Sequence, residues 1–441
     1  MSEYTEITAK AKRAIDEISE HTGTDINPDT FCILPFIHVS TLPQGEVKLC
    51  CRGQPPKNIV DGYDTYNGNP HVQFNDFDLE EYWNSDYMNG VRKNLIEGRR
   101  ISQCKNCWKM EDQNILSLRH NRLIDSKGKT KHYDAVKSFT DTGSVPFDIP
   151  IIELKLSNLC NFKCRMCWPK DSSLWATDWE KVEQFYDDET REYINNVAEV
   201  AGNKRLYNMF ETNKRFVDKL LVCLENVEEI EFAGGEPLLD PIHYRVLSNI
   251  KHPERVTLKY STNLHQLGLG EHDVIELWKR FAGVKITISI DGDRELNARI
   301  RRNSDWDILK ANIERCKSEL DDNLVQIKGT TCISAHNVLY LDRTAEAIIE
   351  DLGIQWHTSR LQYPEFQHAN VVNPIQLQEA LERMYASRDR IAERSERKTR
   401  FNVLHMENAI NWIKMCIKNN QYGEKYDRFE AFNKTLDASS G

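Results

Sequence analysis

The chain has 441 residues, of which 29% are charged and 40% are hydrophobic, and its formal net charge at pH 7 is −10. These values are typical of a soluble globular protein longer than one ordinary domain. The negative charge argues against sequence-independent binding of nucleic acid by the whole surface, so a nucleic-acid partner is not expected.

The sequence also bears on the cellular compartment. It has no run of about 18 apolar residues that could cross a membrane, and its first residues are too polar for a signal peptide. We therefore expect a cytoplasmic protein without a membrane partner. Eight of the twelve cysteines precede residue 168. Such bunching favours metal or cluster ligation over a disulfide framework.

The N-terminal part predicts a helix followed by a cysteine-rich module. Residues 4–20 read as a helix within an N-terminal segment 1–30, and a module follows over residues 31–112. In that module Cys32 precedes the turn Pro43-Gln44-Gly45 and the pair Cys50-Cys51, which predicts a β-hairpin with a cysteine at each end. The pair Cys104 and Cys107 comes later. These thiols could converge on one metal centre, and their spacing leaves a zinc ribbon and an iron–sulfur cluster about equally favoured.

A basic, polar stretch separates this module from the rest of the chain. The basic residues between Arg92 and Lys131 are interpreted as a solvated face, with docking of a reductase or an acidic substrate as the alternative. Residues 113–146 predict a linker. Cys223, Cys316, Cys332 and Cys416 lie singly in apolar contexts and are interpreted as buried core residues.

The stretch from Ile151 to Pro169 predicts a strand that runs into a loop with three cysteines. Polar and apolar residues alternate up to Ser157, the period of a half-buried strand. Cys160, Cys164 and Cys167 then follow the strand's carboxyl end, where parallel α/β sheets and barrels place their chemistry. Three thiolates suit a [4Fe–4S] cluster with one iron left open. Structural zinc is the alternative, but it usually takes four ligands, and this loop offers no fourth Cys or His.

Strands and helices alternate from here to about residue 365. Helices are predicted over 171–186 and 189–224, and a strand over 229–233 leads into Gly234-Gly235-Glu236-Pro237. This loop lets a ligand approach the backbone and projects one acid, although a tight turn with an incidental glutamate is the alternative. Further strands are predicted over 256–260, 285–290, 324–334 and 354–361. The alternation predicts an α/β fold with a parallel sheet, followed by a helical extension over residues 366–441.

The spacing C-x3-C-x2-C followed by Trp168 resembles the signature of the radical S-adenosylmethionine (radical SAM) enzymes. The resemblance implies a partial (β/α)6 barrel over residues 147–365, in which the three cysteines hold a [4Fe–4S] cluster whose open iron binds S-adenosylmethionine. Glu236 would hold the amino group of its methionine moiety. The remaining cofactor-binding residues implied by the resemblance are Gly234, Gly235, Ser261, Asn263, Ser289, Asp291 and Arg301. Arg299 and Arg302 compete for the role of Arg301.

The N-terminal cysteines resemble the auxiliary-cluster modules called SPASM and twitch. The shared features are a cysteine before a Pro-aromatic pair, Cys50 five residues after Gly45, the sequence Trp83-Asn84-Ser85 and a late C-x2-C. Here the module precedes the core, and one set of ligands implies one auxiliary [4Fe–4S] cluster. The implied ligands are Cys32, Cys50, Cys104 and Cys107, with Cys51 as the alternative to Cys50.

The resemblance also implies an activity. The enzyme would cleave S-adenosylmethionine reductively to a 5′-deoxyadenosyl radical that abstracts hydrogen from a peptide or protein, with a flavodoxin- or ferredoxin-type electron donor, and would be oxygen-sensitive. A small-molecule or nucleotide-derived substrate is the alternative. From another class, the chain could be a non-catalytic electron carrier or a zinc-binding scaffold. The sequence offers no motif for a catalytic acid or base.

Overall fold

The computed structural model describes residues 3–43, 47–53, 79–200, 214–393 and 397–438. They divide into two compact units. The first comprises Met1–Leu156, Asn208–Phe232 and Arg245–Val256. The second comprises Ser157–Tyr207, Ala233–Tyr244 and Thr257–Gly441. Among the described residues, no helix combines the length and the apolar character needed to traverse a bilayer.

The strands of the described residues range from two to nine residues in length. They are β1 His38–Thr41, β2 Val47–Lys48, β3 Ile151–Lys155, β4 Lys163–Cys164, β5 Glu229–Ala233, β6 Thr257–Thr262, β7 Gly268–Leu269, β8 His272–Asp273, β9 Gly283–Ser289, β10 Arg301–Arg302, β11 Val325–Ile333 and β12 Gln355–Arg360.

The helices of the described residues follow the same order. They are α1 Glu3–Thr22, α2 Leu34–Ile37, α3 Leu79–Trp83, α4 Asp86–Ile96, α5 Lys105–Glu111, α6 Leu118–Asp125, α7 Thr130–Thr142, α8 Trp179–Val182, α9 Asp188–Val200, α10 Lys214–Cys223, α11 Pro241–Asn249, α12 Val274–Trp278, α13 Arg294–Ile300, α14 Trp306–Glu319, α15 Leu341–Glu346, α16 Pro374–Ala392, α17 Arg397–Lys418 and α18 Glu424–Ala438.

In the first unit the strands lie in the order β5, β3, β1, β2. β1 runs parallel to β3, with Ser40 beside Glu153, and antiparallel to β2. The predicted hairpin is therefore present but short, and two residues of its predicted turn, Gln44 and Gly45, lie outside the described residues. Glu153 is only 3% exposed, so β3 is buried on both faces and not half-buried as predicted.

In the second unit β12, β11, β9 and β6 lie side by side and run parallel. One face of β9 carries Val284, Ile286 and Ile288, which are buried, while Thr287 and Ser289 on the other face are half-buried. This alternation is the two-residue period of a strand with one apolar and one polar face. The carboxyl ends of the four strands lie at the same edge, and four of the candidate site residues lie at or just after the ends of β6 and β9, namely Ser261, Asn263, Ser289 and Asp291.

Two predicted boundaries differ from the structure. The predicted linker 113–146 contains the helices α6 and α7, and it lies within the first unit, which continues to Leu156 rather than ending near residue 147. Apolar residues such as Leu123 and Val136 are fully buried there, which the polar and basic composition concealed. The extension 366–441 contains the helices α16, α17 and α18, in agreement with its predicted helical character. Closure into a partial barrel stays a prediction.

Candidate functional site

The cysteine loop, which we define as residues 157–172, is held by hydrogen bonds of its own backbone. Asn158 is fully buried, and its side-chain amide donates to the carbonyl of Pro169 at 2.8 Å. The amide of Cys167 donates to the carbonyl of Cys164 at 2.9 Å. β4 within the loop pairs with β10, which places Cys164 opposite Arg301. The loop is therefore shaped by the chain before any ligand binds.

The three thiols of this loop affect one another's ionisation. Burial, together with the neighbouring Cys164, raises the pKa of Cys160 to about 12. Burial also raises the pKa of Cys164 and of Cys167, and Cys167 is influenced by Asp171 and by both other cysteines. Thiolates grouped in this way are costly on their own, whereas a bound metal deprotonates the thiols that coordinate it. The donor set fits an iron–sulfur cluster with three protein ligands.

Gly234 and Gly235 bring the second motif against the start of the cysteine loop. The amide of Gly235 donates to the carbonyl of Ser157 at 3.1 Å, and that of Glu236 donates to Leu159 at 2.7 Å. A Cβ on Gly235 would lie 2.3 Å from the carbonyl oxygen of Leu159. Gly234 has φ of 119°, a conformation that L-residues with a side chain rarely adopt. Both glycines are therefore required by the close approach of the two loops.

Glu236 is a buried carboxylate at the centre of this arrangement, with 3% exposure. Its Oε1 accepts hydrogen bonds from Thr262 Oγ1 at 2.6 Å and from the amide of Leu238 at 3.2 Å. Its Oε2 accepts from the amide of Asn263 at 2.7 Å. Burial raises the pKa of Glu236 to about 7 even though these hydrogen bonds lower it. The bond from Leu238 caps a short turn, so the alternative interpretation as a turn residue is also part of its role.

The sequence Ser261-Thr262-Asn263 is predicted to bind the cofactor through Ser261 and Asn263, but its side-chain contact with Glu236 comes from Thr262. Asn263 is buried and links two loops, because its Nδ2 donates to Asn161 Oδ1 of the cysteine loop at 2.7 Å. Ser261 is exposed and lies on the face of β6 opposite to that of its neighbour Thr262. The residue between them, Thr262, is the side chain that reaches Glu236. Sequence reasoning missed Thr262 and Asn161, although the alternation of buried and exposed residues in β6 separates Thr262 from Ser261.

Asp291 and Arg301 form a buried ion pair beside Cys164. Arg301 Nη2 lies 2.7 Å from Asp291 Oδ2, and Arg301 Nη1 donates to Cys164 Sγ at 3.6 Å. Burial raises the pKa of Asp291, which Arg301 opposes. Burial alone would lower the pKa of Arg301, but Asp291 raises it. Arg301 is thus distinguished from its competitors, since Arg299 is exposed and Arg302 points to Asp178.

The half-buried face of the parallel strands in the second unit is polar. It carries Ser289, which lies beside Thr330 in the pairing of β9 with β11. Cys332 lies on the same face of β11, half-buried, and its amide donates to Asp291 Oδ1 at 2.7 Å. The interpretation of Cys332 as a core residue is therefore wrong. The adjacent Ile333 suggests an apolar environment for Cys332 in the sequence. In β11 the two residues lie on opposite faces, and Cys332 shares the polar face with Thr330.

The first unit contains the other group of thiols. Cys32, Cys50 and Cys107 are buried, and Cys104 is half-buried. Burial raises the pKa of Cys32 and of Cys50 to about 12, and each is also raised by Cys107. The pKa of Cys104 is raised by burial and then by the other three cysteines. These four thiols are therefore neighbours in space.

Cys51 faces different neighbours. Burial raises the pKa of Cys51, and the next causes are Glu153, Cys50 and Glu231. The side chains of Cys50 and Cys51 thus have different surroundings, although the two residues lie in a turn after β2 and not in a strand as predicted. This favours Cys50 over Cys51 as the fourth thiol of the group.

Several residues interpreted as a solvated basic face are in fact buried around this group. Arg119 is 5% exposed and pairs with Glu111, its Nε lying 3.0 Å from Oε1, and its Nη1 donates to the carbonyl of Phe31 at 3.0 Å. Arg122 is also buried and pairs with Glu229 at 2.8 Å. No local sequence pattern indicates that these arginines have internal carboxylate partners.

The sequence Trp83-Asn84-Ser85 has a structural role. Ser85 caps α4 by accepting from the amide of Met88 at 3.3 Å, and the ring of Trp83 lies 4.7 Å from the guanidinium carbon of the fully buried Arg92. Burial lowers the pKa of Arg92 to about 9. None of these contacts involves a cysteine sulfur.

The described residues contain no group of three or more His, Cys, Asp or Glu side chains that could hold a single metal ion. Two sulfurs on one tetrahedral zinc ion lie about 3.8 Å apart, given a Zn–S distance of about 2.3 Å. Thiolates on a cubane cluster bind different irons and stand farther apart. A cluster site therefore does not require the close packing of a mononuclear site.

Comparison with known proteins gives a match over part of the chain. Residues 154–333 match the profile of the Radical SAM superfamily. A search of the curated proteins found none that matches the sequence significantly.

Solved structures with similarity to the chain are distant. They include SuiB of Streptococcus suis bound to S-adenosylmethionine, with 13% identity, a TM-score of 0.35, and 72% of this chain and 65% of that chain covered. They also include anSMEcpe with bound AdoMet, with 13% identity, a TM-score of 0.33, and 54% and 59% covered. The chain therefore spans less than two thirds of the length of these two proteins.

Proposed function

We propose that the chain, whose residues 154–333 match the Radical SAM superfamily, is an enzyme that cleaves S-adenosylmethionine reductively at a [4Fe–4S] cluster held by Cys160, Cys164 and Cys167. The observation that carries this proposal is the joining of three loops by hydrogen bonds. Glu236 donates its amide to the cysteine loop and accepts from the amide of Asn263, which in turn donates to Asn161. The three sequence motifs thus meet at one place.

Each residue of this group has a proposed role. The three thiols would hold the cluster, which when bound supplies the electron for cleavage of the sulfonium and so generates the radical that abstracts hydrogen. Glu236 would accept a hydrogen bond from the amino group of S-adenosylmethionine. Gly234 and Gly235 would let this acid stand against the cysteine loop, with Ser261, Asn263 and Ser289 offering polar groups to the adenosyl and methionine parts.

Arg301 has a double role in this proposal. Two of its nitrogens are occupied by Cys164 Sγ and Asp291. Its buried Nε has no hydrogen-bond partner among the described residues. We assign to the guanidinium the stabilisation of the Cys164 thiolate, and to the free donor the contact with the ligand's carboxylate. Asp291 then balances the charge of Arg301 instead of contacting the ligand itself.

The first unit would hold a second cluster. Cys32, Cys50, Cys104 and Cys107 supply four thiols whose pKa values respond to one another. Burial raises the pKa of Cys32 and of Cys107, and Arg119, which lies beside this group, partly opposes that rise and so favours the thiolate form that ligands need. The auxiliary cluster and its resemblance to SPASM and twitch modules are part of the proposal.

The substrate is proposed to be a peptide or protein, and the electron donor a flavodoxin- or ferredoxin-type protein. The support for a peptide is the resemblance of the N-terminal cysteine pattern to modules that often accompany peptide-modifying enzymes. The polar face of β6, β9 and β11 offers hydroxyl and amino groups that could contact a substrate backbone.

Low-temperature EPR tests the assignment against a simple electron carrier. The protein is reconstituted anaerobically, reduced with dithionite and measured with and without S-adenosylmethionine. We expect the ligand to change the signal of the core cluster, because it occupies the open iron, and we expect Cys164→Ala to lose the responsive signal. A reduced cluster whose spectrum ignores the ligand would instead favour the electron carrier.

A further inference from the structure

Arg165 lies between two of the proposed cluster ligands, yet its side chain points into the protein. It is 5% exposed. Its Nε donates to the carbonyl of Arg299 at 2.9 Å, and its Nη1 donates to Asn433 Oδ1 at 2.9 Å. Its Nη2 pairs with Asp437. A buried guanidinium is costly unless its donors are satisfied, so these partners fix its position.

Both side-chain partners of Arg165 lie on α18, near the end of the chain. Asn433 and Asp437 are four residues apart and therefore project from the same side of the helix. Phe429, Phe432 and Leu436 form a buried apolar stripe on α18. Phe432 stacks on Trp175, with ring centroids 6.5 Å apart and an interplanar angle of 16°.

Trp175 and Arg302 connect α18 to the cysteine loop by two further routes. Trp175 Nε1 donates to the carbonyl oxygen of Cys164 at 2.9 Å. Arg302 Nη2 donates to the carbonyl of Leu436 at 2.8 Å, and Arg302 pairs with Lys163 in the two-stranded sheet of β4 and β10. Three independent contacts therefore run from one helix to residues 163–165.

The pairing of β4 with β10 explains how this helix can act on a ligand without touching it. Cys164 and Arg301 are partners and face one side, where Arg301 Nη1 contacts Cys164 Sγ. Lys163 and Arg302 face the other side, where both lie near the buried carboxylate of Asp178, at 2.5 and 3.6 Å. Adjacent strand residues point to opposite faces, so anchoring one side sets the direction of the Cys164 thiol on the other.

We infer that α18, acting through Arg165, is a positioning element that holds the cysteine loop in its cluster-binding conformation. The inference rests on the proposed function only for the identity of the bound group, an iron–sulfur cluster, because the contacts themselves are made between residues of the chain. Arg165 is thus a positioning residue, and α18 supports the structure of the cluster site without supplying a ligand to it.

Hydrogen–deuterium exchange of the cysteine loop tests this inference without needing a cluster. The variants are Arg165→Gln and Asp437→Asn, the latter changing a residue that is half exposed and outside the loop. Arg428→Gln is the control, because Arg428 lies on the same helix but donates to the carbonyl of Phe185. Arg165→Lys should recover part of the protection against exchange that Arg165→Gln loses, because lysine keeps the positive charge but does not make all three contacts.

Exchange in residues 157–172 should rise about tenfold or more in Arg165→Gln, the effect of losing hydrogen bonds from a buried charged group. It should rise about two- to fivefold in Asp437→Asn, which removes the charge of a half-exposed partner but keeps an oxygen acceptor, and should stay unchanged in Arg428→Gln. In reconstituted protein the same two variants should lose iron to a chelator correspondingly faster. If Arg165→Gln does not fold, Asp437→Asn decides. Loop exchange equal to wild type in the folded variants would overturn the inference. A wild-type chain that takes up no cluster would contradict the proposed function alone.

Discussion

Replacement of Glu236 by Gln should change how the affinity for S-adenosylmethionine depends on pH. Burial raises the pKa of Glu236 to about 7 from an ordinary value of 4.5. The carboxyl is therefore about one-tenth ionised at pH 6 and about nine-tenths ionised at pH 8. If the charged form binds the ligand's amino group, the affinity of the wild type should fall about tenfold from pH 8 to pH 6 on this account.

The same substitution serves as its own control. Glu236→Gln keeps the shape of the side chain but cannot ionise. Any change of the variant's affinity with pH therefore comes from other groups, including the ligand's amino group. The measurement is calorimetric affinity of the anaerobically reconstituted protein at pH 6 and at pH 8, expressed as the ratio of wild type to variant. An ordinary pKa of 4.5 would change this ratio by only a few per cent. A ratio that is the same at both pH values would refute the raised pKa of Glu236, and equal affinities of wild type and variant at pH 8 would refute its role in binding.

The raised pKa also has a consequence for stability. Between the unfolded and folded pKa values the native state binds more protons than the unfolded chain, so the free energy of unfolding falls as pH rises from 4.5 towards 7. A shift of that size corresponds to about 3 kcal/mol. Urea denaturation of wild type and Glu236→Gln from pH 5 to pH 8 should show this difference in slope, and parallel curves would contradict it.

Four further variants test neighbouring parts of the account. Gly235→Ala would place a Cβ 2.3 Å from a carbonyl oxygen of the cysteine loop, so we expect loss of the core cluster's iron, and wild-type iron content would contradict the close approach of the two loops. Thr262→Val removes a 2.6 Å hydrogen bond to the buried glutamate and should weaken S-adenosylmethionine binding by about tenfold; unchanged calorimetric affinity would count against it. Cys104→Ala combined with Cys107→Ala should halve the iron from about eight to about four per chain while keeping the S-adenosylmethionine-dependent EPR change, whereas Cys51→Ala should keep all of it. Stoichiometric zinc in strictly anaerobic wild-type protein would overturn the auxiliary cluster.

The parts of the fold that the sequence predicts best are those with a local signal. The strand Glu229–Ala233 has its predicted bounds. The glycines of the following loop are expected to admit a ligand, and at Gly235 the group that approaches is the backbone of the cysteine loop. The period of two residues in β9 identifies its buried and polar faces. These features depend on residues close together in the chain.

The rest depends on contacts between distant residues, which a single sequence does not display. Arg119 and Arg165 look like surface cations, and only the fold supplies Glu111 and Asp437 as their partners. The assignment of Arg301, rather than Arg299 or Arg302, to the site likewise follows from the pairing of β10 with β4, which no local sequence pattern predicts.

The most direct test of the central claim is product analysis. Anaerobically reconstituted protein is incubated with dithionite and S-adenosylmethionine, and 5′-deoxyadenosine and methionine are measured by mass spectrometry, with Cys160→Ala, Cys164→Ala and Cys167→Ala alongside. The account predicts that the wild type forms both products and that each variant forms neither, because two thiolates do not anchor a cluster with an open iron. Cleavage at the wild-type rate in any of the three variants, or no cleavage by a wild type that carries its full iron, would contradict it.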